Sequence, residues 1–158
     1  MENDLMRILA VDDNADNLTI LKALISEAFP QTEVLCASNG LQALEMAAQY
    51  DPDMVLLDII MPGMDGYEVS RRLKSDHRLS DIPIVFVTAL KSSRESRITA
   101  LESGAEAFLS KPIDESELTA QIRAMFKIRK ATLAKRDESR RLATLVDQRT
   151  AELKKSNE

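Results

Sequence analysis

Asp12, Asp13, Asp58, Thr88 and Lys111 each stand at or just past the end of a short apolar run. Asp12 and Asp13 follow Arg7-Ile-Leu-Ala-Val11, and Asp58 follows Met54-Val-Leu-Leu57. Thr88 closes Ile82-Pro-Ile-Val-Phe-Val87, and Lys111 lies beyond Ala107-Phe-Leu109. A carboxylate at the mouth of a buried strand costs too much to be surface decoration. As a nucleophile, Asp58 would attack phosphorus and become an aspartyl phosphate. Three crowded carboxylates need a cation, and a hard divalent ion such as Mg²⁺ suits them. Asp12 and Asp13 would hold that ion beside Asp58. Lys111 would meet a phosphoryl oxygen as a point charge, and Thr88 would donate its hydroxyl to another. Ala89 is small enough to admit the group and offers a free backbone N–H. Metal, ammonium and backbone donors together answer the charge that phosphoryl transfer develops.

Those residues need a scaffold that brings strand ends to one edge. Continuous apolar runs separated by helical patterns predict a parallel sheet covered on both faces, with ligands at the C-terminal edge of its strands. The helical stripe Leu18, Leu21, Leu24 and Ile25 predicts a first helix over Asn14 to Ala28, ending before Pro30. A strand over Glu33–Ala37 and a helix from Asn39-Gly40 follow, broken by Asp51-Pro52. Three further helices announce their starts with acid-capped boxes: Asp65 with Glu68, Ser92 with Glu95, and Asp114 with Glu117. The third helix runs to about Asp76 and the fourth to near Gly104.

At 158 residues, with 44% hydrophobic and 30% charged, the chain suits one globular domain with an appendage. No run approaches the roughly 18 apolar residues of a membrane span, and the start lacks a signal-peptide pattern. A single cysteine, Cys36, excludes an internal disulfide, fits a reducing cytoplasm and reads as a small buried hydrophobe. The net charge of −5 hides an asymmetry. Residues 1–126 carry 11 Lys and Arg against 21 Asp and Glu, whereas residues 127–158 carry 10 against 5. The basic tail has no aromatics and alternates with Leu, Ala and Glu, which argues for a solvated helix over a nucleic-acid arm.

The expected division is therefore a domain over 1–126 and a helical linker over 127–158. From Ile113 to Glu158 there is neither Gly nor Pro. Leu118, Ile122, Met125 and Phe126 form a core-facing stripe, and beyond Lys127 the apolar positions thin out. Leu142, Val146 and Leu153 fit a and d positions, interrupted by Ser139 and Arg149. A parallel coiled coil and a frayed tail are both open readings.

The acidic pair, Asp58 within Leu-Leu-Asp-Ile-Ile-Met-Pro-Gly-Met-Asp-Gly, Thr88-Ala89 and Lys111-Pro112 together resemble a response-regulator receiver domain of two-component signalling. The likeness covers about residues 5–126. It implies a flavodoxin-like, doubly wound α/β fold, a five-stranded parallel sheet of order 2-1-3-4-5, here with an extended C-terminal helix. It further implies that Asp13, Asp58 and the backbone carbonyl of Ile60 ligate Mg²⁺ (Mn²⁺ being a substitute), with Asp12 acting mainly through water. Backbone N–H groups of Ile59, Ile60 and Ala89 would bind the phosphoryl group. A cis bond before Pro112 is a frequent family feature. Phe108 matches the aromatic switch position and would respond to Thr88 by packing alone, since it has no hydroxyl; an ordinary core Phe is the competing reading. The face of the fourth helix, fifth strand and fifth helix would be the output surface.

The expected role is regulatory, a phosphoacceptor without an output enzyme of its own. The expected partner is a histidine kinase or phosphotransfer protein. The tail resembles linkers that precede kinase or cyclase domains, so the chain reads as part of a larger protein, dimeric through its C-terminal helix or the output face. A stand-alone or degenerate receiver acting as an interaction module is the alternative. A flavodoxin-like cofactor site would need a Ser/Thr/Gly-rich loop where Asp12-Asp-Asn-Ala-Asp16 stands. A dehalogenase-type phosphatase would need a second acid where Ile60 stands. Ile60 and Leu90, two residues beyond Asp58 and Thr88, flank the path of attacking water and cannot orient it, which predicts slow self-dephosphorylation. His77, the single histidine, reads as a surface residue.

Overall fold

A computed structural model describes residues 5–89 and 94–156, with side chains described to residue 149. The elements alternate along the chain. β1 (Arg7–Val11), α1 (Ala15–Ala28), β2 (Glu33–Ala37), α2 (Gly40–Tyr50) and β3 (Met54–Leu57) come first. α3 (Gly66–Ser75), β4 (Ile84–Thr88), α4 (Arg94–Glu102), β5 (Ala107–Ser110) and α5 (Glu115–Ser156) follow. The five strands form one parallel sheet in the order β2-β1-β3-β4-β5, as expected.

Two apolar layers divide the side chains by strand parity, because successive residues of a strand face opposite ways. Leu9, Val11, Val55, Leu57, Ile84 and Phe86 point to one face, which α2, α3 and α4 cover. Ile8, Ala10, Met54, Leu56, Val85 and Val87 point to the other, which α1 and α5 cover. Central strands β3 and β4 are buried along their whole length, which is why they read as unbroken apolar runs. Cys36 differs from its expected full burial. It sits on edge strand β2, half-buried, and the desolvation it does suffer pushes its thiol pKa up.

Local chemistry explains most element ends. Asn14 and Asn39 cap α1 and α2 through their side-chain oxygens. Asp65 accepts the N–H of Glu68 at 2.9 Å, and Asp114 accepts those of Ser116 and Glu117. The reciprocal half of the Asp65 box does not form: Glu68 turns its carboxylate to Arg71 and Arg72, one helical turn on. Ser92 lies outside the described residues. β4 starts at Ile84, later than the expected Ile82, since Pro83 has no N–H to give the ladder. α5 is one helix of 42 residues, about 63 Å at a rise of about 1.5 Å per residue.

Gly66 opens α3 directly against the loop after β3. Its N–H donates to the Ile59 carbonyl at 2.9 Å, and a Cβ there would run into the Asp58 carbonyl and the Ile59 backbone. No flexible side chain is present to yield. Gly66→Ala is expected to cost about 1–3 kcal/mol by overpacking, read as a lower urea midpoint.

Candidate functional site

Parallel register brings the site together. Val11 pairs with Leu57, so Asp12 and Asp58 leave neighbouring strands at the same level. The ladder continues past the strands: Asp58 N–H donates to the Val11 carbonyl at 3.0 Å and Lys111 N–H to the Thr88 carbonyl at 2.8 Å. These bonds hold the backbone of two site residues independently of their side chains. The Lys111–Pro112 bond is cis, matching the feature that the resemblance implied.

Asp12 and Thr88 are almost fully buried and Asp58 is 7% exposed, while Asp13 faces solvent. Carboxylate oxygens of Asp12, Asp13 and Asp58 all lie within 4.8 Å of one another. Lys111 Nζ reaches between the buried pair, 2.7 Å from Asp12 Oδ2 and 3.5 Å from Asp58 Oδ2. One ammonium against three acids leaves a negative balance. Burial raises the Asp58 pKa above the ordinary carboxylate value; Lys111 opposes that rise and the Asp12 charge adds to it. Hydrogen bonds from the Ile59 N–H and the Thr88 hydroxyl favour the ionised form. A divalent cation fits this donor set, because hard oxygen ligands crowded without enough positive charge are what such an ion relieves.

Among the other expected site residues, Ala89 is exposed just past the end of β4. Ile59 is buried and Ile60 is 57% exposed, so the Ile60 side chain stands at the rim. Phe108 is half-buried on the face covered by α2, α3 and α4, in register with Phe86. His77 is exposed, as expected for a surface histidine, and Leu90 lies outside the described residues. Sequence reasoning missed two partners of Asp12. Asn14 N–H donates to Oδ1 at 2.9 Å, and Asn17 Nδ2 donates to Oδ2 at 3.2 Å. Asn14 carried a visible signal as a helix cap; Asn17 had none, since its role depends on how α1 turns away from β1.

The Asp58 shift has a definite sign for stability. Its folded pKa exceeds its unfolded one, so its stabilising contribution is present at low pH and lost as pH rises through the folded value. In metal-free protein, Asp58→Asn should therefore raise the urea midpoint at pH 7. That gain should shrink as pH falls toward about 3.9, the ordinary carboxylate value.

Comparison with known proteins agrees with this geometry. Residues 8–123 match the response regulator receiver domain family. The response regulator PleD of Caulobacter vibrioides is 46% identical over 137 residues, covering 85% of this chain and 30% of that protein. The chain thus spans less than a third of that relative's length. Protein PilH of Pseudomonas aeruginosa is 38% identical over 119 residues, covering 75% of this chain and 96% of PilH. Among solved structures, the receiver domain of sensor histidine kinase PA1611 from Pseudomonas aeruginosa carries a magnesium ion in its active-site cleft. It superposes with a TM-score of 0.71 at 27% identity, covering 78% of this chain and 99% of that one.

Proposed function

The chain belongs to the response regulator receiver domain family, and from that premise we propose that Asp58 takes a phosphoryl group from a histidine kinase or phosphotransfer protein. One observation carries this reading: a buried carboxylate at a strand end, held by Lys111 and Thr88 and flanked by two further acids. In the transfer, an Asp58 oxygen bonds to phosphorus as the P–N bond of phosphohistidine breaks. The imidazole nitrogen keeps the bonding pair and takes up a proton.

Lys111 exchanges its bond to Asp58 for one to a phosphoryl oxygen, and Thr88 donates its hydroxyl to a second. The backbone N–H of Ile59, already bonded to Asp58, and those of Ile60 and Ala89 would meet the developing charge. Asp13, Asp58 and the Ile60 carbonyl would hold Mg²⁺ or Mn²⁺, which when bound neutralises charge on the phosphoryl oxygens. Asp12, already engaged by Lys111, Asn14 and Asn17, would act on that ion mainly through water.

The switch runs from Thr88 to Phe108, which has neighbours to pack against on its own face of the sheet. Its output surface is α4, β5 and α5, where Ile98 and Leu101 are exposed. A second copy pairs there or along α5, where Leu142, Leu145 and Val146 are exposed on one stretch of helix. The output activity belongs to a unit beyond α5 or to a partner, making this chain the regulatory part. We assign it to the cytoplasm; no helix among the described residues is long and apolar enough to cross a membrane.

Incubation with Mg²⁺ and a small-molecule phosphodonor should add one phosphoryl group by intact mass. Asp58→Asn and chelation should each abolish the adduct; an adduct that survives Asp58→Asn would move the acceptor elsewhere. The apolar Ile60 at the rim cannot orient water, so Ile60→Asn should shorten the phosphoryl lifetime severalfold, measured by loss of the adduct over time.

A further inference from the structure

Past Met125 the buried stripe of α5 continues with charge in place of apolar side chains. Leu118, Ile122 and Met125 pack on the sheet, and the next position on that stripe is Arg129. It is the bulkiest fully buried side chain among the described residues, 1% exposed. Its Nη2 lies 3.2 Å from Asp51 Oδ1 and its Nε 3.4 Å from Asp53 Oδ1. Two helical turns further, Arg136 donates to Asp81 Oδ2 through Nε at 3.1 Å and Nη2 at 2.8 Å. All three acids stand at the floor of the sheet, opposite the edge that holds Asp58: Asp51 and Asp53 precede β3, and Asp81 precedes β4. From Asp137 to Arg149 every residue of α5 is exposed.

Burying a guanidinium is costly unless acids meet it, and the backbone that carries these acids is bonded in place, Asp51 N–H to the Ala47 carbonyl and Asp53 N–H to the Arg7 carbonyl. Asp53 accepts the N–H of Arg7 at 2.8 Å, which ties it to the start of β1. Asp51 closes α2 with a left-handed backbone, φ 46°, where Gly or Asn is the less strained choice. Aspartate at that position sets a charge opposite Arg129 that neither alternative would carry.

We propose that Arg129 and Arg136 form a floor clamp that makes residues 127–136 part of the receiver body and sets the direction in which the rest of α5 leaves it. The domain boundary, expected at residue 126, then falls at about Arg136. Whatever follows, a second copy or an output unit, is aimed by the floor of the sheet with no hinge at the end of the receiver. Asp53 and Asp58 bracket one buried strand, so the clamp is anchored on the strand that also carries the candidate phosphoacceptor. The clamp stands whether or not Asp58 takes a phosphoryl group.

Amide hydrogen exchange on the full chain tests it. Arg129→Gln should speed exchange across residues 127–136 by about tenfold or more while β1 and β3 keep their protection. Arg136→Ala and Asp81→Ala remove the partly exposed pair and should each speed exchange around residues 133–136. Unchanged exchange over 127–136 in Arg129→Gln overturns the proposal. Should Arg129→Gln also loosen the sheet, the Arg136 and Asp81 variants decide: faster exchange confined to the helix supports the clamp, and no change refutes it.

Discussion

Two carboxylates held almost dry at the ends of adjacent strands, with one lysine between them, are the constraint around which this protein is built. Lys111 Nζ lies 2.7 Å from Asp12 and 3.5 Å from Asp58, across 99 residues of sequence from the former. Acids placed in this way repel one another and lose hydration, which is why burial raises the Asp58 pKa. Such a site persists only if the backbone beneath it cannot relax. The parallel ladder provides that, running past the last strand residue to Asp58 and Lys111 themselves. The crowding is of the kind that a hard divalent cation relieves.

The rest of the fold keeps that edge rigid from below and from both sides. Alternation along β1, β3 and β4 sends one set of side chains to α2, α3 and α4 and the other to α1 and α5. Gly66 lets α3 start against the loop after Asp58 with no side chain between them. At the opposite edge the acids of the floor meet the basic part of α5. The uneven charge along the chain, acidic before residue 127 and basic after it, thereby becomes a packing interaction as well as a solvated surface.

Several features were legible in the sequence because each depends on a short window. A fully buried strand must be an apolar run, an N-cap must be a side chain with an acceptor, and a site residue must follow its strand. Asp12, Asp58, Thr88 and Lys111 could be ordered along one edge for that reason. Where reading failed, a competing partner lay within reach but outside the pattern. Glu68 fits a capping box, yet two arginines one turn further along α3 offer its carboxylate full charges. Cys36 fits a buried strand, yet its strand lies at the edge of the sheet, and no local pattern marks an edge.

The sequence by itself determined the number and type of elements, the identity of the acidic site and the apolar stripe that seats α5. These follow from periodicity and from the cost of burying the wrong residue, both of which act over a few neighbours. Only the tertiary structure decided that Asn17 and Lys111 share Asp12, and that Arg129 sits buried between Asp51 and Asp53. The Arg129 pairs join residues 76 and 78 apart. An arginine on a polar helix carries no mark of which distant carboxylate it will meet. That is set by where the helix crosses the floor of the sheet, a consequence of the whole chain's packing.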